Sequence, residues 1–279
     1  MVLSEKTTLT SIKKTFLPEG VALLIFLLSG SLVMAQQTAI PDWENPLLTG
    51  INNEPPHATF FPFGSETAVV QNDVEHSPWV LSLNGTWKFN WAENPAQRPA
   101  EFYKDGYDLS GWKEIKVPST IEIQGYGYPV YVNSPYEFNH LMKPDPPKVP
   151  QDYNPVGSYF RDFTLPENWK GRQVFLHFGA VKSFCYIYLN DKQIGMGKDG
   201  KTPIELNITP YLREGKNNLG IEVFRWSDGT YLECQDMWRM SGINRDVFLY
   251  STPVTRIRDF FAKGELFDNY THGWLKVTT

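Results

Sequence analysis

SFCYIYLNDKQIG, residues 183–195, is the stretch of sequence that decides the fold. Residues 184–189 are apolar at both odd and even positions, which predicts a strand covered on both faces, as in a sandwich. Asn190 and Asp191 then supply a tight turn into residues 192–195, a pattern typical of a β-hairpin.

Further strands are predicted on both sides of this hairpin, separated by turns rich in Gly, Pro and Asn. Helical patterning is scarce, so we expect an all-β, two-sheet antiparallel sandwich. The strand-like segments are SLNGTWKFNW (82–91), SYFRDFTL (158–165), RQVFLHF (172–178), NNLGIEVFRW (217–226) and DVFLYSTP (246–253).

The sandwich is predicted to occupy residues 81–252. Residues 36–80 are rich in Pro, Asn and His with little periodicity, which indicates an extended segment lying along a surface. RIRDFFAKGEL (256–266) and GWLKVTT (273–279) indicate the first two strands of a second, immunoglobulin-like sandwich over residues 253–279. Two strands alone are marginal in water, so we expect this second domain to be incomplete and the chain to be part of a longer protein.

The N-terminus has the pattern of a secretory signal peptide over residues 1–35. Lys13 and Lys14 precede a short apolar run, residues 21–33, and small or apolar residues follow at a cleavage position before Gln36. The run is shorter than the ~20 apolar residues of a membrane span, although a retained anchor is the alternative. We expect an exported protein, periplasmic or extracellular.

Composition excludes some partners and leaves others open. The net charge is -5, with acidic and basic residues interspersed, so the clustered Lys and Arg that a nucleic-acid partner requires are missing from the sequence. Aromatic residues make up 15%, which suits core packing first and sugar stacking second. Cys185 and Cys234 form no metal-ligand pattern; we expect two buried thiols, with a disulfide as the alternative in an oxidising compartment.

Two loops are dense in polar and aromatic residues. Residues 225–245 contain the acidic candidates Asp228, Glu233 and Asp236 among three arginines, and residues 124–138 contain Gln124 and Asn133 among four tyrosines. Such loops are explained either by salt bridges and edge packing, or by carboxylate and amide groups that bind sugar hydroxyls or a hard cation. The residues alone leave both explanations open.

In these loops and around them the chain closely resembles the N-terminal region of glycoside hydrolase family 2 beta-galactosidases. The resemblance runs from about Asp42 to the end of the chain. Its markers, in order, are DWENP (42–46), SLNGTWKF (82–89), VPSTIEIQGYGYPVYVN (117–133) and RWSDGTYLECQDMWRMSGINRDV (225–247). Cys234 departs from the acidic residue usual in the family, and Ser134 also differs.

The resemblance implies a jelly-roll, galactose-binding-like sandwich, followed by an immunoglobulin-like domain and a barrel that bears two catalytic Glu beyond this chain. It implies that Asn133 reaches the galactose pocket and that Asp228 contacts galactose hydroxyls and helps hold sodium or another monovalent cation. Magnesium is implied for the full-length enzyme through ligands outside this chain.

The function so implied is hydrolysis of terminal non-reducing β-D-galactose residues, as in lactose, with retention, by a protein that forms homo-oligomers. We expect this portion alone to be inactive, because retention needs two carboxyl groups about 5 Å apart and no residues here are expected to supply them. The alternatives are a free-standing secreted carbohydrate-binding module, or another family 2 glycosidase such as a glucuronidase or mannosidase.

Overall fold

The computed structural model describes residues 40–279, so the predicted signal peptide lies outside the described residues. Among them are 18 strands, one short α-helix, α1 (Glu66–Gln71), and 3-10 turns at Asp42–Glu44, Pro95–Gln97, Glu167–Trp169, Thr209–Tyr211 and Asp228–Tyr231. The strands are β1 Gly50–Ile51, β2 Val80–Ser82, β3 Gly85–Ala92, β4 Lys113–Val117, β5 Ser119–Thr120, β6 Val130–Val132, β7 Val156–Thr164, β8 Gln173–Phe178, β9 Val181–Lys182, β10 Phe184–Leu189, β11 Lys192–Gly197, β12 Ile204–Asn207, β13 Lys216–Phe224, β14 Met237–Arg239, β15 Gly242–Ile243, β16 Val247–Thr252, β17 Phe261–Phe267 and β18 His272–Thr278.

Two antiparallel sheets form the sandwich, which confirms the predicted fold class. The larger sheet has the order β1-β11-β10-β13-β7-β3-β4, and the smaller one has the order β12-β8-β16-β2. The predicted hairpin is strands β10 and β11, with Leu189 opposite Lys192. Asn190 and Asp191 form its turn with φ of 49° and 68°, the left-handed conformation that a two-residue hairpin turn requires.

The core lies between the two sheets, and a second apolar layer covers the outer face of the larger one. Strand β10 is buried along its whole length, as its apolar residues on both faces predict. Cys185 and Ile187 point into the core between the sheets, whereas Tyr186 and Tyr188 point into the outer layer. Burial of the apolar side chains of these two layers away from water is the main stabilising contribution to such a fold.

Residues 42–54, within the expected extended segment 36–80, contact the sandwich. Trp43 stacks on Phe224 of the larger sheet with ring centroids 4.8 Å apart, and β1 pairs with β11. The Glu54 amide then donates to the carbonyl oxygen of Glu205 in β12, at 2.7 Å. Helix α1 was not predicted; it is a solvent-exposed turn capped by the Ser65 hydroxyl, which accepts from the Ala68 amide at 3.3 Å.

Beyond the sandwich, β17 and β18 form the predicted antiparallel pair, with Phe261 opposite Thr278. Every residue of both strands is exposed. The assignment of this pair to an immunoglobulin-like domain stays a prediction. Across residues 40–279, no helix has the length and apolar character to span a membrane.

Candidate functional site

The loop between β13 and β16 folds back on the sandwich through short strand pairs. It makes the 3-10 turn Asp228–Tyr231, then β14, which pairs with β6, and then β15, which pairs with both β5 and β9. Since β6 belongs to the second polar and aromatic loop, the two loops singled out from the sequence are joined by backbone hydrogen bonds. These backbone hydrogen bonds fix the conformation of both loops.

The β6–β14 pair carries four polar and aromatic side chains on one face. Tyr131 lies opposite Trp238 in the register, and Val132 lies opposite Met237, so Asn133 and Asp236 directly flank the same end of the pair. Tyr131 contacts both Asp236 and Trp238, and Asn133 is exposed beside them in sequence. We call these four residues the ribbon face.

The ribbon face is open to solvent and is organised by one hydrogen bond. Tyr131 and Trp238 are 55% and 58% exposed, and their ring centroids lie 5.6 Å apart. The Tyr131 hydroxyl donates to Oδ1 of Asp236 at 2.6 Å, and this bond, with the carboxylate charge, raises the pKa of Tyr131. An amide, a carboxylate and two aromatic rings are the groups with which proteins bind sugar hydroxyls and sugar faces.

Arg239 joins the two loops from the opposite face of the ribbon. Its side chain is fully buried, and its guanidinium donates to the carbonyl oxygens of Glu233 at 2.9 Å and Val132 at 3.2 Å. Both carbonyls belong to the loops that carry the ribbon face. Loss of this guanidinium would remove the hydrogen bonds to both partly buried carbonyl oxygens.

A buried line of alternating charges lies at the base of the same loops. Lys182 approaches Glu137 at 3.7 Å, Glu137 lies 4.0 Å from Arg225, and Arg225 lies 3.6 Å from Glu122. All four side chains are at most 3% exposed. Burial raises the pKa of Glu122, against the opposing effects of Arg225 and of hydrogen bonds from Ser241. The network connects the start of one loop to the end of the other.

Asp228 occupies a different environment from the ribbon face. Its side chain is 8% exposed, and Lys198 Nζ lies 3.0 Å from Oδ1 and 3.1 Å from Oδ2. Oδ1 also accepts from the Gly229 amide at 2.8 Å. The carboxylate lines a cavity of about 630 Å³ together with Tyr231 and Glu233, among others.

The cation that the family resemblance implies at Asp228 does not fit these contacts. A sodium ion bound to Asp228 would lie beside the Lys198 ammonium, which is 3.0 Å from the carboxylate, so that two positive charges would compete for one negative charge that is already balanced. In the part of the chain that the structure describes, no group of three or more His, Cys, Asp or Glu side chains is arranged to hold a metal ion.

Asn133 and Asp236 directly flank the same end of the β6–β14 pair, and the roles expected for Asn133 and Asp228 at a galactose pocket stay predictions. Sequence reasoning named Asp236 only as one of three acids in its loop. The signal that points to it is a spacing of two, Tyr131 to Asn133 and Asp236 to Trp238, which becomes informative only when both segments are known to be paired strands. Gln124, the other amide of the second loop, donates to the Ser119 hydroxyl at 3.2 Å.

The two cysteines are free thiols at separate places. Cys185 is buried in the sandwich core, where burial raises the pKa of its thiol to about 12. Cys234 is partly exposed in the 225–245 loop, with its Sγ 3.5 Å from the carbonyl oxygen of Pro135. The expectation of two buried thiols is correct for Cys185 and wrong for Cys234, because the loop carries Cys234 at the surface.

An antiparallel sandwich with aromatic, amide and carboxylate groups on loops at one end defines the class of jelly-roll carbohydrate-binding domains. Comparison with known proteins gives the family. The model of "Glycosyl hydrolases family 2, sugar binding domain" matches residues 80–253, and the chain belongs to this family.

Among curated proteins, the chain is 41% identical over 245 residues to a beta-galactosidase of Priestia megaterium, covering 88% of this chain and 24% of that protein. It is 44% identical over 199 residues to a beta-galactosidase of Halalkalibacterium halodurans, covering 71% of this chain and 19% of that protein. The chain thus spans about a quarter or less of the length of these relatives.

Among solved structures, a beta-glucuronidase of Ruminococcus gnavus is similar with a TM-score of 0.53 and 16% identity, covering 79% of this chain and 35% of that one. A beta-glucuronidase of an uncultured Clostridium species gives a TM-score of 0.52 and 22% identity, covering 78% and 35%. At these identities the likeness concerns the fold alone.

Proposed function

We propose that this chain is the sugar-binding part of a glycosidase that removes terminal, non-reducing β-D-galactose residues with retention. The observation that carries the proposal is the ribbon face, an amide and a carboxylate beside two exposed aromatic rings, in a chain 41% and 44% identical to beta-galactosidases. The two catalytic Glu would lie in a barrel domain outside residues 1–279, so the covered residues bind and orient the sugar.

In this proposal Asn133 and one carboxylate of the 225–245 loop contact the galactosyl hydroxyls. Asp236 is the carboxylate that we favour, because it is exposed, it flanks the same end of the ribbon as Asn133, and the Tyr131 hydroxyl occupies only one of its two oxygens. Asp228, which the family resemblance indicates, is the alternative, because it lines a cavity although its charge is balanced by Lys198.

A carboxylate in this position would accept hydrogen bonds from hydroxyl groups that become more acidic as an oxocarbenium-like transition state develops. The bonds would then be stronger in the transition state than in the bound substrate, which is the condition for a rate effect. The loss of one charged hydrogen bond costs about 1.5–3 kcal/mol, or roughly 10- to 100-fold in rate.

The test compares single amide substitutions in the complete native protein, assayed on 4-nitrophenyl β-D-galactoside. D236N is expected to lower kcat/KM by roughly 10- to 100-fold while the thermal midpoint stays close to that of the unsubstituted protein. D228N is expected to act mainly on stability. D162N, at an exposed surface ion pair with Lys216, is the matched control and should leave kcat/KM unchanged.

The outcomes separate the two carboxylates. A large loss of kcat/KM in D228N with full activity in D236N would assign the sugar contact to Asp228. Full activity in both variants would remove this loop from the sugar site. Faster hydrolysis of a β-D-glucuronide or a β-D-mannoside than of the galactoside would replace the proposed substrate by that of another family 2 glycosidase.

We also propose that the protein is exported by the signal peptide at residues 1–35 to the periplasm or the exterior, and that it acts as a homo-oligomer. N-terminal sequencing of the mature protein should give a start near Gln36, and an intact Met1 would reject cleavage. Sodium and magnesium remain proposals for the whole enzyme, with the magnesium ligands outside this chain.

A further inference from the structure

The side chain of Lys198 ends inside a cage made of oxygen atoms. Its Nζ lies 2.8 Å from the carbonyl oxygen of Asp42, 2.9 Å from that of Asn45, and 3.0 Å and 3.1 Å from the two carboxylate oxygens of Asp228. The Lys198 and Asp228 side chains are 6% and 8% exposed. An ammonium group has three donors, and the two carbonyls and the carboxylate satisfy all three.

The cage has the chemistry of a hard-cation site. Backbone carbonyl and carboxylate oxygens are the ligands that hard metal ions take in proteins, and here they converge from two distant parts of the chain. Asp42 and Asn45 belong to the segment before the sandwich, and Asp228 belongs to the loop after β13. The Asp42 carboxylate faces the same region, but it accepts from the Tyr186 hydroxyl at 2.8 Å.

We propose that the Lys198 ammonium is the resident cation of the Asp228 site, so that this carboxylate holds no metal ion in the native protein. The lysine supplies through its own side chain the positive charge that a bound ion would bring. Its role is to hold residues 42–48 on the outer face of the larger sheet. Removal of the side chain would leave one carboxylate and two carbonyls around an empty position that sodium, magnesium or calcium can enter.

A local measurement tests this proposal in the complete native protein. The amides of Glu44, Asn45 and Leu48 donate within the held segment, to Pro41, Asp42 and Asn45 respectively, so their hydrogen exchange reports on its opening. Exchange would be measured in choline chloride and after replacement of choline by sodium, magnesium or calcium at constant ionic strength, which keeps general screening unchanged.

In the unsubstituted protein, exchange of these amides should not respond to the metal ions. K198A should exchange roughly 10- to 100-fold faster in choline chloride, as the loss of charged hydrogen bonds predicts. Addition of at least one of the three metal ions should restore protection with saturation. K216A, which removes a lysine from an exposed ion pair, is the matched control and should behave as the unsubstituted protein.

Three results would overturn the proposal. The first is a saturable gain of protection with a metal ion in the unsubstituted protein, and the second is unchanged exchange in K198A. The third is lost protection in K198A that no metal ion restores, because the oxygens would then not form a cation site. If K198A does not fold, D228N replaces it; faster exchange without a metal response supports the proposal, and unchanged exchange rejects it.

The inference does not rest on the proposed function. Its readout is the exchange of three backbone amides, so it can succeed or fail whatever glycoside the protein hydrolyses. It concerns the one position where the contacts of this chain disagree with the family expectation of a sodium ligand.

Discussion

Replacement of Glu205 by glutamine should loosen the segment that precedes the sandwich. The Glu205 side chain is 8% exposed and accepts three hydrogen bonds. At Oε1 it accepts from His57 Nε2 at 2.8 Å and from the Tyr250 hydroxyl at 2.7 Å, and at Oε2 from His177 Nδ1 at 3.0 Å. The first of these partners belongs to the preceding segment and the other two belong to the smaller sheet.

The size of the effect follows from the carboxyl pKa. Burial, the largest single influence, raises it, but the hydrogen bonds from His177, Tyr250 and His57 together lower the pKa of Glu205 from 4.5 to about 2. This difference corresponds to about 3 kcal/mol of preference for the ionised form in the folded state. Since the pKa is lowered, this stability is present above pH 4.5 and is lost as the pH falls through 2.

The assay is hydrogen exchange of the Glu54 amide, which donates to the Glu205 carbonyl oxygen at 2.7 Å. At pH 6, E205Q should exchange this amide roughly 100-fold faster, the equivalent of about 3 kcal/mol. After correction for intrinsic rates, its protection should also stay flat between pH 5 and 2, where that of the unsubstituted protein falls. E114Q, at an exposed pair with Lys88, is the matched control.

Two results would refute this reasoning about Glu205. One is an exchange rate of the Glu54 amide in E205Q that stays within about threefold of the unsubstituted rate at pH 6. Such a ratio corresponds to less free energy than the upper value for one neutral hydrogen bond, about 1.5 kcal/mol. The other is the same decline of protection with acid in both proteins, which would assign the acid sensitivity to a different carboxylate.

Two further predictions concern the charge of His57 and the accessibility of the two cysteines. Both ring nitrogens of His57 face acceptors, the Ala58 carbonyl oxygen and the Glu205 carboxylate, and although burial lowers its pKa, these hydrogen bonds raise it above 6.5. Protonated His57 contributes its full stabilisation below pH 6.5, and this stabilisation is lost as the pH rises through the raised pKa. Protection of the amides of residues 54–60 from hydrogen exchange should therefore decline as the pH rises in the native protein and not in H57N. Iodoacetamide at pH 8 should label Cys234 in the folded protein and spare Cys185, whose thiol has a pKa of about 12 in the core; mass spectrometry checks this, and equal labelling of both would contradict the placement.

The parts of the fold that sequence could predict are those set by local alternation. Residues 184–189 are apolar at every position, and the structure buries each of them between two layers. The hairpin turn at Asn190 and Asp191 is likewise a local signal, since both residues tolerate the left-handed conformation. Helix α1 escaped prediction because it is one exposed turn without an apolar face, held by its Ser65 cap.

The candidate site depends on contacts between distant parts of the chain, and these could not be predicted from local patterns. Asn133 and Asp236 come to the same end of the ribbon only because β6 and β14 pair, and neither three-residue strand carries a strong signal of its own. The environment of Asp228 was hidden for the same reason. The local sequence around a loop carboxylate does not show whether that group faces solvent or a buried lysine. Here the lysine, Lys198, lies 30 residues earlier in the chain.

The segment from residue 42 to residue 60 closes the same edge of both sheets. Strand β1 covers β11 of the larger sheet, and the Glu54 amide bonds to β12, the edge strand of the smaller one. Uncovered edges invite pairing with other chains, so this cover protects the sandwich. Its two buried ionic anchors, Lys198 and Glu205, lie on either side of the connection between β11 and β12. A short stretch of the main chain therefore supplies both charges that hold the segment, which explains how residues with little strand or helix propensity keep a fixed path.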